Sequence, residues 1–175
     1  RCTRPSAVAT TARPAPATDD GDLRFAVELT DGSTVTARRL LLAMGVRDEL
    51  PAIAGLAAHW GHGVVHCPYC HGWEVRDEPI GIIARGPSSE HQALLFRQLS
   101  DDVIYFTQGT ELGDQARMRF AALGIQVVET AIEEVLTAAD GGIAAVRLAG
   151  GERVERRILT VATTLEPRLE GLEGL

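Results

Sequence analysis

From Leu23 to Leu29 apolar and polar side chains alternate, Asp31-Gly32-Ser33 interrupts them, and an extended pattern resumes from Thr34 to Ala37. Period-two alternation on both sides of an Asp-Gly turn predicts an antiparallel β-hairpin. Leu40, Leu41, Leu42 and Ala43 then run unbroken to Met44-Gly45. Such a run predicts a strand covered on both faces, ending where the main chain must come close to another group. Pro51 and Gly55 mark a loop. Before the hairpin, residues 1–20 mix Ala, Thr, Pro and Arg, which predicts no packed element and a flexible or truncated start over 1–22.

A second unit opens near Glu78. Ile80-Gly81-Ile82-Ile83 reads as a buried strand, Ala84 to Ser88 as a tight turn, and Ser89 to Leu99 as an amphipathic helix. Val103 to Phe106 predicts the next strand, Gln115 to Leu123 a helix stopped by Gly124, and Ile125 to Val128 a third strand. This β-α-β-α-β alternation implies a parallel sheet. Ile132–Ala138, Gly142–Leu148 and Arg153–Ala162 follow as an antiparallel meander. The fold class is therefore α/β: a Rossmann-like three-layer domain, parallel sheet plus meander, preceded by part of another domain.

Composition narrows the function. Hydrophobic residues make up 45% and aromatics only 5%, so the core must rest on aliphatic side chains. The formal charge of -7 and the lack of a basic stripe argue against nucleic acid as a partner. No apolar run approaches the roughly 18 residues of a membrane span, and the start lacks the order of a secretory signal, so a cytoplasmic protein is expected. An Arg-rich, acid-poor start is compatible with a transit peptide, and an initial Arg1 with a fragment boundary.

Three cysteines are too few for a disulfide scaffold, and two of them form Cys67-Pro68-Tyr69-Cys70. Two intervening residues bring the sulfurs within disulfide reach, and a neighbouring cation or helix start lowers one thiol pKa. His71 directly follows and is placed to move the proton that thiol–disulfide exchange requires; His66 precedes the pair and is placed to assist electrostatically. Cys2, in the irregular start, is read as incidental. Other readings of the pair stay open. Zinc would have to gather four ligands within six residues, where structural sites use two separated pairs, so no metal is expected. An inert buried pair would not bring two flanking histidines. A glutaredoxin would continue into a long helix, which Gly72 and Pro79 interrupt. Trp60, Tyr69 and Trp73 are candidates to line the approach to the sulfurs, with plain packing as the simpler account. His59, His62 and His91 read as solvated or capping side chains.

The order of these parts resembles low-molecular-weight thioredoxin reductases. The resemblance runs from residue 23 to 170 through the hairpin, Ala43-Met44-Gly45, the Pro51/Gly55 linker, Gly61 to Gly72 with its C-P-Y-C, and the β-α-β unit. It implies that 23–56 is the end of an FAD-binding domain, 57–162 an NAD(P)-binding-like domain carrying the dithiol, and 163–175 a return segment. It further implies that Ala43, Met44 and Gly45 lie against FAD, with Met44 standing where the family has Thr. The chain is expected to be a fragment of a longer enzyme, homodimeric when whole.

The nucleotide turn departs from the family. Reductases carry G-x-G-x-x-A, whose small residues let the backbone approach a pyrophosphate at a helix start. Here Ala84-Arg85-Gly86-Pro87-Ser88-Ser89 adds a methyl at Ala84 and loses an amide donor at Pro87, leaving Ala84, Gly86 and Ser89 as the candidate cofactor contacts. Tyr105 to Gly109 offers no cation for a 2'-phosphate, which counts against NADPH. These losses, with His71 where reductases have Asp, resemble the dithiol oxidases of disulfide natural products, similar to the gliotoxin and holomycin enzymes. That resemblance implies a small-molecule or peptide dithiol as substrate, FAD as cofactor and oxygen as acceptor. It also implies that Cys67 exchanges with substrate, Cys70 faces the flavin and His71 acts as base. An NADPH-dependent reductase and a non-catalytic metal-binding or interaction module are the alternatives.

Overall fold

The structure, a computed structural model, describes residues 7–16 and 24–175. Cys2 and the other residues of 1–6 and 17–23, where part of the unstructured start was expected, lie outside the described residues. The chain divides into two units, one running to residue 48 and including 165–175, the other covering 49–164.

In the first unit β1 (Ala9–Ala15), β2 (Arg24–Leu29) and β3 (Thr34–Ala37) form an antiparallel sheet in that order. The hairpin follows its pattern, with Val27 opposite Val35 and Phe25 opposite Ala37. Asp31 Oδ1 closes the turn by accepting from the amide and the hydroxyl of Ser33 at 2.9 and 2.6 Å. Two expectations need correction here. Residues 9–15, expected to lack an element, are the edge strand β1. Their order comes from main-chain bonds that small residues supply as well as large ones: the Ala12 amide also donates to Gly171 O at 2.8 Å. Pro14 is tolerated because β1 is an edge. The Leu40–Ala43 run is not a strand, and Leu41 is 89% exposed. A strand buried on both faces needs neighbours at both edges and layers above and below, and no described strand lies beside residues 40–43. The next strand is instead β4 (Val46–Glu49).

The second unit starts with a 3-10 turn at Leu56–His59, then β5 (Val64–Val65) and the single turn α1 (Pro68–His71). β6 (Ile80–Ile83), α2 (Ser88–Phe96), β7 (Val103–Phe106), α3 (Asp114–Leu123) and β8 (Gln126–Val128) follow in the predicted order, but α2 ends at Phe96, short of Leu99, and is not the amphipathic helix expected, since it buries Ser89 and Gln92 beside Ala93 and Phe96. Gly124 stops α3 with φ 71°, a left-handed value that glycine adopts without strain. β9 (Ile132–Thr137), β10 (Ile143–Leu148) and β11 (Arg153–Glu155) make the antiparallel meander. The segment expected to complete it splits, because the chain breaks at Arg156-Arg157, where the amides of Arg157 and Ile158 both turn to Pro79 O. β12 (Ile158–Val161), buried along most of its length, then enters the parallel sheet, whose order is β5-β12-β6-β7-β8. The last strand, β13 (Thr164–Pro167), pairs with β4.

The continuous apolar strands feed two cores. Ile80, Ile82, Val103 and Tyr105 pack with Ala93, Phe96 and Phe120 on the helical side. Ile83, Ile104, Phe106 and Leu159 pack with Val135, Ile143 and Val146 on the meander side. This is the three-layer α/β arrangement predicted. Gly81 sits where the sheet is tightest: a Cβ there would come 2.8 Å from Leu159 Cδ2 and 2.9 Å from Phe106 Cε2. Gly81→Val is therefore expected to destabilise by about 1–3 kcal/mol through overpacking. Urea unfolding checks this, and an unchanged midpoint would contradict it. No helix of the described residues is long and apolar enough to cross a membrane.

Candidate active site

α1 exists because of its first two residues. Cys67 is the N-cap, extended at φ -117° and ψ 115°, and Pro68 occupies the first helical position, where a missing amide removes no bond. His71 N donates to Cys67 O at 3.1 Å and Gly72 N to Pro68 O at 2.8 Å, closing the turn. Cys70 therefore returns over Cys67: its amide donates to Cys67 Sγ at 3.2 Å, and the two sulfurs lie 2.6 Å apart, within reach of a disulfide.

This geometry makes the two thiols unequal. The Cys70 thiol holds the Cys67 thiol below its ordinary value; burial opposes this, and the amides of Cys70 and Tyr69 add smaller lowering effects. The same interaction with Cys67 raises Cys70, and burial and the Cys67 charge add in the same direction. Cys67 is half-buried and is the more acidic thiol of the two; Cys70 is exposed and the less acidic.

The structure brings His71 onto the same turn, with its ring Nδ1 buried and without a hydrogen-bond partner among the described residues. The His66 ring stacks on Trp60 with centroids 5.7 Å apart, and the His66 carbonyl accepts from Gln92 Nε2 at 2.8 Å. Tyr69 and Trp73 project into solvent beside Cys70, and Arg76 lies 3.8 Å over the Trp73 ring. His59 is not solvated as expected but buried, with Nε2 2.9 Å from Thr137 Oγ1. Among the described residues no group of three or more His, Cys, Asp or Glu is gathered as a metal would require.

The Ala84–Ser89 turn leads from β6 into α2. Gly86 adopts φ 139°, and the Ser89 hydroxyl accepts from Arg85 N at 3.0 Å. Ala84 N donates to Phe106 O, Ser89 N to Gly86 O and Glu90 N to Pro87 O. Pro87 lacks an amide, and those of Arg85, Ser89 and Glu90 are bonded within the turn, which reduces the donors available to cradle a pyrophosphate. The Arg85 guanidinium adds to this by donating to Glu49 O at 2.9 Å and Ala162 O at 3.4 Å. It thereby crosses the carboxyl ends of β6 and β12, the switch point of this sheet, where α/β folds bind dinucleotides. A cavity of about 350 Å³ remains beside it, lined by Ile53, Ala84, Arg85, Gln108 and Thr110 among others. Neither the Arg85 bridge nor the Gln92 contact was foreseen from the sequence.

Ala43 and Met44 line a cavity of about 270 Å³ in the first unit with Leu40, Ala12 and Leu172, and Gly45 follows at φ 72°. Small-molecule sites usually span about 300–1,000 Å³. The described residues thus form one apolar wall, not an enclosing site.

A profile described as pyridine nucleotide-disulphide oxidoreductase matches residues 8–175. Thioredoxin reductase aclD of Aspergillus oryzae is 34% identical over 152 residues, 82% of this chain and 48% of its own length. Thioredoxin reductase tcpT of Claviceps purpurea is 34% identical over 157 residues, 85% of this chain and 49% of its own. Among solved structures, HlmI superposes with a TM-score of 0.83 at 36% identity, over 94% of this chain and 51% of its own. The chain spans about half the length of the curated relatives it matches.

Proposed function

This chain belongs to the pyridine nucleotide-disulphide oxidoreductase family, and from that premise we propose that it carries the redox dithiol of a flavin-dependent oxidase of small dithiols. The observation that carries this reading is the pairing of an asymmetric dithiol on α1 with a nucleotide turn that lacks an amide at Pro87 and is bridged by Arg85. In the oxidised form a substrate thiolate attacks Cys67 Sγ, the Cys67–Cys70 bond breaks, and Cys70 leaves with the electron pair and takes up a proton. The substrate's second thiolate then attacks its own bound sulfur and expels Cys67. A low-pKa thiol leaves faster, and Cys67 is the member of the pair held low. The net result is one substrate disulfide and one enzyme dithiol. Ala43 and Met44 would form one wall for FAD, which would supply the two-electron acceptor that returns the dithiol to the disulfide, with oxygen as the final oxidant. His71 takes the proton of the attacking thiol.

Anaerobic flavin absorbance of the full-length protein tests this directly. Dithiothreitol is expected to bleach the flavin, while NADPH at the same concentration leaves it unchanged. Rapid bleaching by NADPH would mean that the engaged turn opens for nucleotide, and the protein would then be a reductase of a disulfide, the activity in the names of its fungal relatives.

A further inference from the structure

Position 92 faces inward from α2, together with Ser89, Ala93 and Phe96. A leucine or methionine there would join the apolar cluster around Phe96 without unpaired polar atoms. The chain has a glutamine instead, 7% exposed, with Oε1 buried and without a partner among the described residues. Half of the amide is therefore kept at a cost, and the other half has one contact: Nε2 to His66 O at 2.8 Å.

That carbonyl belongs to the peptide plane whose nitrogen is Cys67 N. Turning the plane changes φ of Cys67, and φ and ψ at this N-cap are what aim Sγ at the Cys70 amide. Trp60 restrains the same residue from its side chain by stacking on the His66 ring. We infer that Gln92 is a positioning residue for the dithiol: by pinning the His66–Cys67 peptide to α2 it holds Cys67 Sγ in line with the Cys70 amide. It touches neither sulfur. The inference rests on the reading of Cys67 as the exchanging thiol, and it makes the helix that would otherwise serve a nucleotide serve the dithiol.

The test uses the full-length protein in a Cys70→Ala background, where the residue-70 amide remains and the competing thiol is gone. Alkylation of Cys67 by iodoacetamide is followed at its own peptide by mass spectrometry as a function of pH. Gln92→Leu is expected to lower the thiolate fraction at pH 7 about five- to tenfold, moving the titration midpoint up by roughly 0.7–1 unit. Gln92→Met, unbranched and close in length, serves if the leucine variant does not fold, and circular dichroism verifies the fold of either. A folded variant with an unmoved midpoint overturns the inference. The readout involves no flavin or substrate: a shifted midpoint in a protein whose flavin ignores dithiothreitol would sink the oxidase reading and leave the positioning role standing.

Discussion

Cys67→Ser in the full-length protein is expected to abolish anaerobic bleaching of the flavin by dithiothreitol, whereas Cys70→Ser abolishes bleaching but leaves a sulfur that still exchanges. The difference follows from what each substitution does to the remaining thiol. In Cys70→Ser the new hydroxyl takes the place of the Cys70 thiol as donor to Cys67 Sγ, and the residue-70 amide is untouched, so Cys67 stays below the ordinary thiol range. In Cys67→Ser the sulfur that raised Cys70 is gone, and Cys70 relaxes toward the ordinary thiol value. Reactivity toward an aromatic disulfide such as Ellman's reagent follows the thiolate. Cys70→Ser should therefore reach its plateau rate at lower pH and trap one equivalent of mixed disulfide at Cys67. Equal pH profiles for the two variants would reject Cys67 as the exchanging sulfur, and bleaching that survives in Cys67→Ser would remove the dithiol from the reaction altogether.

What could be read beforehand divides along a physical line. Ile80–Ile83 and Val103–Phe106 were legible as strands because burial on both faces imposes an unbroken apolar run, and the two core clusters show both faces in use. The Cys67–Cys70 spacing was legible because two residues fix the reach of the sulfurs. β1 was not, since its order comes from ladder bonds to β2 and a bond to Gly171 O that carry no side-chain signature. Leu40–Ala43 misled for the opposite reason: the run states a demand for cover that no described strand meets. The split of 153–162 was foreshadowed by Arg156-Arg157, two charges in the middle of a supposed strand. Arg85 and Gln92 were illegible because their partners lie 77, 36 and 26 residues away, and a lone inward-facing Gln was the one available hint.

His71 offers the sharpest contrast between stability and chemistry. A buried ring nitrogen without a partner costs of the order of 1–3 kcal/mol, so a residue kept only for packing would have been better as leucine. His71→Leu is accordingly expected to leave the melting temperature of the full-length protein unchanged or raised. If His71 is the base proposed above, the same substitution removes it, and kcat/KM for dithiothreitol oxidation near pH 7 should fall about 100-fold, at the low end of what a positioned acid–base group contributes. The pH profile separates loss of a base from general damage. Without His71 the rate depends on the substrate's own ionisation, rising through the ordinary thiol range near 8.5 and converging on the parent above it. A variant that melts lower and is slower at every pH by the same factor would reduce His71 to a structural role, and one within twofold of the parent at pH 7 would remove it from the mechanism.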